Sequence, residues 1–272
     1  MTERYFDATT GRIVCLQAGC DASFWSAHWQ QSLQQAGDLF RHPPAYHSFL
    51  YVTKRYLPTG GRVIDAGCGL ALTVHALARA GYEAYGVDYS LATVSTVHRH
   101  WPHLPLSCQD IRQLAFADRF FDGYWSLGVI EHFYDGYAAV LQEMARTIRP
   151  SGYLFLTFPA MNVIRRRQAA KGAYPPFHED AQSRETFYQY MLPTEVVRRQ
   201  VEAAGFRLVS QWGQSVVRTC KEEWPWTEKW LDRLLGLPFG IGRAFALALD
   251  LMFGKWAGHM ALMIFQRQEP NG

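Results

Sequence analysis

Two glycines and three carboxylates near the middle of the chain have the spacing of a ligand site. Gly67 and Gly69 stand in Val63-Ile64-Asp65-Ala66-Gly67-Cys68-Gly69. Residues without a Cβ let the backbone approach a bound molecule closely, here just ahead of a helix N-terminus. Asp65, Asp88 and Asp110 follow one another at intervals of 23 and 22 residues. Each falls at or just past the end of an expected strand, one βα unit apart. A parallel sheet would therefore bring all three to one edge, where ligands bind in open α/β folds. Carboxylates gathered there repel one another unless they have polar groups to serve. A ligand with hydroxyls, an amine and a base would supply such groups.

The elements that must position these residues follow from the pattern around them. Strands are expected at 62–65, 83–88, 106–108, 121–127 and 153–158, with helices at 71–79, 90–99 and 137–148 between them. Gly81 stops the first helix and Ser90 caps the second. Such alternation is the signature of βαβ units and a parallel sheet. A helix at 193–204, closed by Gly205, and strands at 206–212 and 259–265 complete the set. The chain thus reads as a single α/β domain over 1–272. It divides into an N-terminal helical cap at 1–58, a ligand-binding core at 59–158, and substrate-side or lid insertions at 160–192 and 213–258. Loops at strand ends carry specificity in such folds.

Composition narrows the class further. Apolar residues make up 49% and charged residues 19% of 272, which suits a globular domain rather than a disordered chain. Twenty-seven basic against 24 acidic residues give +3, too balanced to point to nucleic acid as a partner. The five cysteines are odd in number and form no Cys-x-x-Cys pair, which argues against a disulfide framework or structural zinc. No metal-ligand cluster is expected. A reducing, cytoplasmic setting is the corresponding expectation. The polar start at Met1-Thr2-Glu3-Arg4 lacks the apolar run of a signal peptide.

A nicotinamide dinucleotide does not suit the glycine loop. Its third glycine would fall where Leu72 stands, and Asp65 would repel a pyrophosphate. S-adenosylmethionine has no phosphate and carries an ammonium group that Asp65 would favour. Residues 61–158 resemble the core of the class I S-adenosylmethionine-dependent methyltransferases. They are most similar to the small-molecule branch that includes ubiquinone-biosynthesis O-methyltransferase-like enzymes. The motifs that carry the resemblance are 63–69, Gly86-Val87-Asp88-Tyr89-Ser90, Gln109-Asp110-Ile111, Phe121-Asp122, 126–133 and 148–153. The resemblance implies a Rossmann-like seven-stranded, mostly parallel sheet with an antiparallel last strand. Helices would cover both faces, with helical lid segments added. The implied cofactor is S-adenosylmethionine, leaving as S-adenosylhomocysteine.

Carried over by residue, Gly67, Cys68 and Gly69 would lie along the methionine part of that cofactor, with Asp65 near its amino group. Asp88 would accept from both ribose hydroxyls. Asp110 would bind the adenine amine, and Ile111 would offer a backbone N–H to the ring. Tyr89 and Ile111 would sandwich the adenine, and Leu127 and Gly128 would border the sulfonium. The chain departs from the family at Ala71 and at Ser151, where glycine is common. Cys68 reads as a small buried residue rather than a nucleophile, and Asp122 as structural.

Methyl transfer needs a general base only when the acceptor must lose a proton. His132 is the first candidate and Glu131 the second. Both also fit a cofactor-loop or helix-start role. Trp25 and His28 lie in an aromatic stretch that resembles a cofactor lid and equally suits core packing. His178, with Glu179, is a further substrate-side candidate. Arg165-Arg166-Arg167 reads first as a solvated helix face and second as a grip on an acidic substrate. Ile241, Phe245, Ala248, Leu249, Met252, Phe253 and Trp256 form one helix face, with Arg243 and Asp250 opposite. That stripe suits packing onto the core, a homodimer contact, or a peripheral membrane contact through 224–256. The leading functional expectation is methyl transfer to a small-molecule O-, N- or C-nucleophile. Two alternatives are a catalytically silent adenosylmethionine-binding regulator and an enzyme for lipid-like acceptors at a membrane surface.

Overall fold

A computed structural model describes residues 2–17, 37–44, 46–238 and 240–269. The chain opens with a hairpin of β1 (Glu3–Asp7) and β2 (Arg12–Leu16), then helices α1 (Gly37–Arg41) and α2 (His47–Tyr56). The alternating core follows as β3 (Arg62–Ala66), α3 (Leu72–Arg79), β4 (Glu83–Asp88), α4 (Leu91–His100), β5 (Leu106–Cys108) and β6 (Phe121–Leu127). A short 3-10 turn at Ile130–His132 leads to α5 (Ala138–Thr147) and the long β7 (Ile148–Pro159). Beyond it come α6 (Val163–Ala170), α7 (Ala181–Glu185), β8 (Phe187–Met191), α8 (Thr194–Ala203) and β9 (Phe206–Gln214). Helices α9 (Val216–Glu223), α10 (Glu228–Leu235) and α11 (Ile241–Ala257) precede the final β10 (Met260–Arg267).

Seven strands form the main sheet in the order β5-β4-β3-β6-β7-β10-β9. Pairings among β5, β4, β3, β6 and β7 are parallel, and β10 alone runs antiparallel to both of its neighbours. This is the Rossmann-like α/β architecture expected from the sequence. The central strands β3, β6 and β7 are largely buried on both faces, as parallel strands with helices on each side must be. Ile64, Tyr124 and Leu154 enter one core layer, and their neighbours Val63, Trp125 and Phe155 enter the other. Trp125 stacks on Phe155 with ring centroids 4.4 Å apart. Strand order reverses between β3 and β6, so their C-terminal ends open a crevice. Asp122 pins the opposite edge, accepting from the Arg62 backbone N–H at 2.7 Å and from the Arg149 guanidinium.

Three features differ from the sequence reading. Residues 1–58 are not a wholly helical cap, because β1 and β2 form a hairpin there. With β8 they make a second, antiparallel sheet in the order β1-β2-β8, so the 160–192 segment is partly strand rather than only a helical insertion.

Arg165 is not on a solvated face either. It is fully buried, and its guanidinium donates to Glu222 at 2.8 Å, to Glu223 at 3.3 Å and to the Ala160 carbonyl at 2.6 Å. Those partners consume its hydrogen-bonding capacity, which removes it as a substrate grip. Arg4 also reaches Glu223, at 2.6 Å, and so ties the hairpin to α6 and α9.

Finally, the orientation of α11 goes against packing of its apolar stripe onto the core, the first of the three readings. Asp250 points inward and accepts from the Ser215 and Val216 backbone N–H groups at 3.0 and 2.8 Å, at the start of α9. Gly254 lies against Gly213 so closely that a Cβ on Gly254 would meet the Gly213 carbonyl oxygen at 2.1 Å. Much of the apolar stripe consequently faces solvent.

Candidate active site

The crevice at the C-terminal ends of β3, β4 and β6 holds a cleft of about 330 Å³, the size of a small-molecule site. Its lining includes Gly67, Asp88, Tyr89, Asp110, Ile111, Gly128 and His132, all singled out from sequence. Ser90, Arg112, Val129 and Phe133 also line it, and sequence reasoning had not assigned them there.

Gly67 has φ +90°, and a Cβ on it would meet Val129 Cγ2 at 2.6 Å. Only glycine fits where the β3 loop passes the β6 loop. The Gly67 and Cys68 backbone N–H groups both donate to the Val87 carbonyl, at 2.8 and 2.9 Å. The Gly69 N–H donates to Asp88 Oδ2 at 2.8 Å. The loop's donors are thus spent on the fold, and what the glycines contribute to a ligand is space. Cys68 turns its side chain away from the cleft into the α3–β4 contact, where its Sγ lies 3.0 Å from the Cβ position of Gly86. Burial, with the charges of Asp65 and Asp88, pushes its thiol up, as suits packing rather than nucleophilic attack.

Each of the three carboxylates has its own environment. Asp65 is buried under the loop at 1% exposure, and its Oδ2 accepts from the Thr73 hydroxyl. Its Oδ1 has no hydrogen-bond partner among the described residues. Burial, aided by the Asp88 charge and opposed by Thr73, raises its carboxyl to about 7. Asp88 is held by two backbone donors, Gly69 N–H on one oxygen and Ser90 N–H on the other at 2.9 Å. Burial nevertheless moves its carboxyl above the usual range. Asp110 is half-exposed and forks onto the Arg112 guanidinium with contacts of 2.6 to 3.0 Å, which hold it below the usual range. Tyr89 lines the cleft and is 68% exposed.

On the β6 side, Gly128 has φ +68° and opens the turn that carries Glu131 and His132. Leu127 before it is half-buried and packs into the core layer of Trp125. Glu131 is buried, with Oε1 3.3 Å from the Cβ position of Gly128 and Oε2 without a partner among the described residues. Burial lifts its carboxyl to about 8, so it is largely protonated at neutral pH. His132 lines the cleft, and its Nδ1 lies 2.7 Å from the Tyr188 carbonyl oxygen. A carbonyl can only accept, so Nδ1 carries a proton directed at it.

Of the remaining candidates, His178 lines a different cleft, beside Tyr5 of β1 and Thr186. Trp25 and His28 lie outside the described residues. No group of three or more His, Cys, Asp or Glu side chains among the described residues could hold a metal ion.

The residues present suit S-adenosylmethionine. Asp65, two residues before the cleft-lining Gly67 and not itself in the lining, has a buried carboxylate oxygen without a partner among the described residues, which a cation would relieve. Asp88 and Asp110 keep lone pairs for hydroxyl and amine donors, and the one cationic side chain in the lining among the described residues, Arg112, is paired with Asp110.

Residues 64–156 match a methyltransferase domain family. Over 113 residues the chain is 28% identical to a probable S-adenosylmethionine-dependent methyltransferase of Mycolicibacterium smegmatis, covering 42% of this chain and 44% of that protein. Over 163 residues it is 28% identical to the ubiquinone biosynthesis O-methyltransferase of Coxiella burnetii, covering 58% of this chain and 69% of that one. The chain therefore spans under half the length of the mycobacterial relative. Among solved structures it is similar to a chain of the complex between the Haloferax volcanii Trm112 methyltransferase activator and a methyltransferase. That likeness has TM-score 0.59 and 16% identity, and covers 93% of this chain and all of the other.

Proposed function

We propose that this chain, a class I S-adenosylmethionine-dependent methyltransferase, passes a methyl group to a small molecule through a hydroxyl that loses its proton on the way. The observation that carries the reading is the crevice at the strand-order reversal. There Asp88 is presented on two backbone donors, beside a buried Asp65 with an orphaned oxygen. S-adenosylmethionine, when bound, supplies a methyl carbon activated by a positive sulfur.

The chain's own residues divide the remaining work. Asp65 balances the ammonium group from beneath the glycine loop. Asp88 accepts from the two ribose hydroxyls, a pairing a carboxylate fills well. Asp110 accepts from the adenine amine while Arg112 fixes its orientation, and Tyr89 and Ile111 close on the ring. Gly67, Gly69, Leu127 and Gly128 shape the loops around the methionine part and the sulfonium, Cys68 through its backbone alone. Val129 and Phe133 exclude water from the reacting end, where holding the acceptor close to the methyl group is the main contribution.

His132 is the better base of the two candidates. With Nδ1 directed at the Tyr188 carbonyl, a neutral His132 ring would have Nε2 as its basic atom, whereas Glu131 already carries a proton at neutral pH. A base at this position favours a phenolic or enolic acceptor over an amine that needs no proton removed before attack. The ubiquinone-biosynthesis relative acts, by its name, on an oxygen nucleophile. A labelled-methyl screen across phenols, quinols, sugars and amines tests the reading. Transfer to a hydroxyl acceptor is the expected result, and transfer to amines alone would refute it. Asp88→Ala should weaken cofactor binding by roughly 1–3 kcal/mol in calorimetry, through loss of charge-assisted hydrogen bonds. Unchanged affinity in that variant would remove the ribose assignment.

A further inference from the structure

The segment between β9 and β10 carries a surface that the cofactor cleft does not explain. Leu251 is 80% exposed, Trp226 75%, Trp230 65% and Trp256 55%, with Leu247 and Met252 exposed between them. Taking roughly 200–250 Å² per indole, the three tryptophans alone present on the order of 400 Å² of side chain. So much exposed aromatic area on neighbouring elements of one segment points to an interaction surface. The orientation is enforced from inside. Asp250 must face α9 to accept its two N–H groups, and Gly254 must face Gly213, so the opposite side of α11 can only be the apolar one.

Charge identifies the occupant. Lys229, Arg233 and Lys255 lie on α10 and α11, and no ion pair among the described residues engages any of them. Of the acids on the same helices, Asp250 is turned inward and Asp232 pairs with Lys221, which leaves Glu228. This surface is therefore apolar, rich in indoles and net basic. An amphipathic helix lying in the surface of an anionic lipid bilayer has these properties. No helix among the described residues is long and apolar enough to cross a membrane, so such contact would be interfacial.

Topology gives the surface its place. Strand β9 runs in the same sense as β6 and β7, and β10 runs back, so the 216–257 connection leaves the sheet at its ligand edge. Asp88 and Gly128 emerge from that same edge. We propose that α10 and α11 dock this protein on anionic lipid, with their exposed apolar side chains in the interface and their basic residues at the headgroups. The cofactor edge of the sheet then faces the bilayer side of the molecule.

Co-sedimentation of the full chain with vesicles tests this, using phosphatidylcholine alone and an equal mixture with phosphatidylglycerol. The wild type should pellet with the mixed vesicles and much less with the neutral ones. Leu251→Glu should lower partitioning by about tenfold or more, with circular dichroism and thermal midpoint unchanged because the residue is exposed. A second variant, Lys229→Glu with Arg233→Glu and Lys255→Glu, should erase the preference for anionic vesicles. No enrichment on either vesicle overturns the proposal, as does equal pelleting by the wild type and Leu251→Glu. A wild-type dimer that Leu251→Glu dissociates, without vesicle binding, overturns it in favour of a second copy of this chain.

Discussion

Asp65→Asn should make the unliganded protein more stable while weakening its hold on the cofactor. In the fold the Asp65 carboxyl is raised to about 7, chiefly by burial. A carboxyl raised in this way contributes stability that is complete below its unfolded value near 3.8 and is lost as pH rises through about 7. Keeping it ionised at pH 8 costs on the order of 4 kcal/mol at most, from about 1.4 kcal/mol for each pH unit between those values. Asparagine resembles the protonated acid in shape and keeps a partner for Thr73. Its gain should therefore be near zero at pH 4, grow between pH 4 and 7, and level off above. Since relaxation and water penetration relieve part of such a burial penalty, a net gain of about 1–3 kcal/mol is expected at pH 8. For a chain of this length that raises the thermal midpoint by at least about 2 °C. Loss of the charged partner for an ammonium should weaken S-adenosylmethionine binding by about 1.5–3 kcal/mol, or roughly ten- to 150-fold. Thermal scans without ligand across pH 4–8, with calorimetric titration at pH 7.5, read both quantities. A midpoint that falls at pH 8 with unchanged affinity would show Asp65 to be structural and sink the reasoning.

Other outcomes follow from the same geometry. His132→Gln should lower methyl transfer to a hydroxyl acceptor by roughly 10²–10⁴-fold with cofactor affinity unchanged, as loss of a general base does; an unaltered turnover number in a steady-state assay would reassign it to shaping the loop. Ser151 is exposed at φ +63°, a conformation that costs a non-glycine residue roughly 1–2 kcal/mol. Against the chain entropy that glycine loses, Ser151→Gly should stabilise by about 0.5–1 kcal/mol, visible as a rise in the denaturant midpoint, and a fall would count against the strain. Arg165→Met should destabilise by about 3 kcal/mol, because it strips a buried partner from Glu223. Adding Glu223→Gln should recover part of that loss in urea unfolding, and strict additivity of the two changes would argue that they do not share a network.

How much of this could be read from the chain depended on how local the determinants were. The core strands announce themselves as short apolar runs punctuated by Gly81, Gly152 and Gly205, each followed or preceded by a helix within a few residues. The crevice followed because strand-end acids one βα unit apart must share an edge. The small sheet did not, since β2 finds its third strand, β8, some 170 residues later, and a lone pair of alternating strands gives no hint of that partner. Arg165 was misread for a related reason. The basic run looks solvated until Glu222 and Glu223 arrive from α9. For α11 the 3.6-residue period revealed an apolar face correctly and said nothing about its direction. That was decided by the Gly213–Gly254 backbone contact and by the Asp250 cap, both made with residues more than 30 positions away.

One residue type at the ends of successive elements acquires three chemistries here, and the difference lies wholly in the neighbours. Asp65 is buried with no donor on its second oxygen among the described residues, so its carboxyl is raised to about 7 and a cation beside it would favour the ionised form. Asp88 meets the N–H groups of Gly69 and Ser90, which fix its plane and leave lone pairs facing the cleft. Asp110 reaches the rim, where Arg112 keeps it ionised and oriented. A ligand positive at one end and rich in neutral donors at the other complements that gradient along the crevice. A polyanion does not, because the charge repelling it would be strongest where the loop lets it approach nearest.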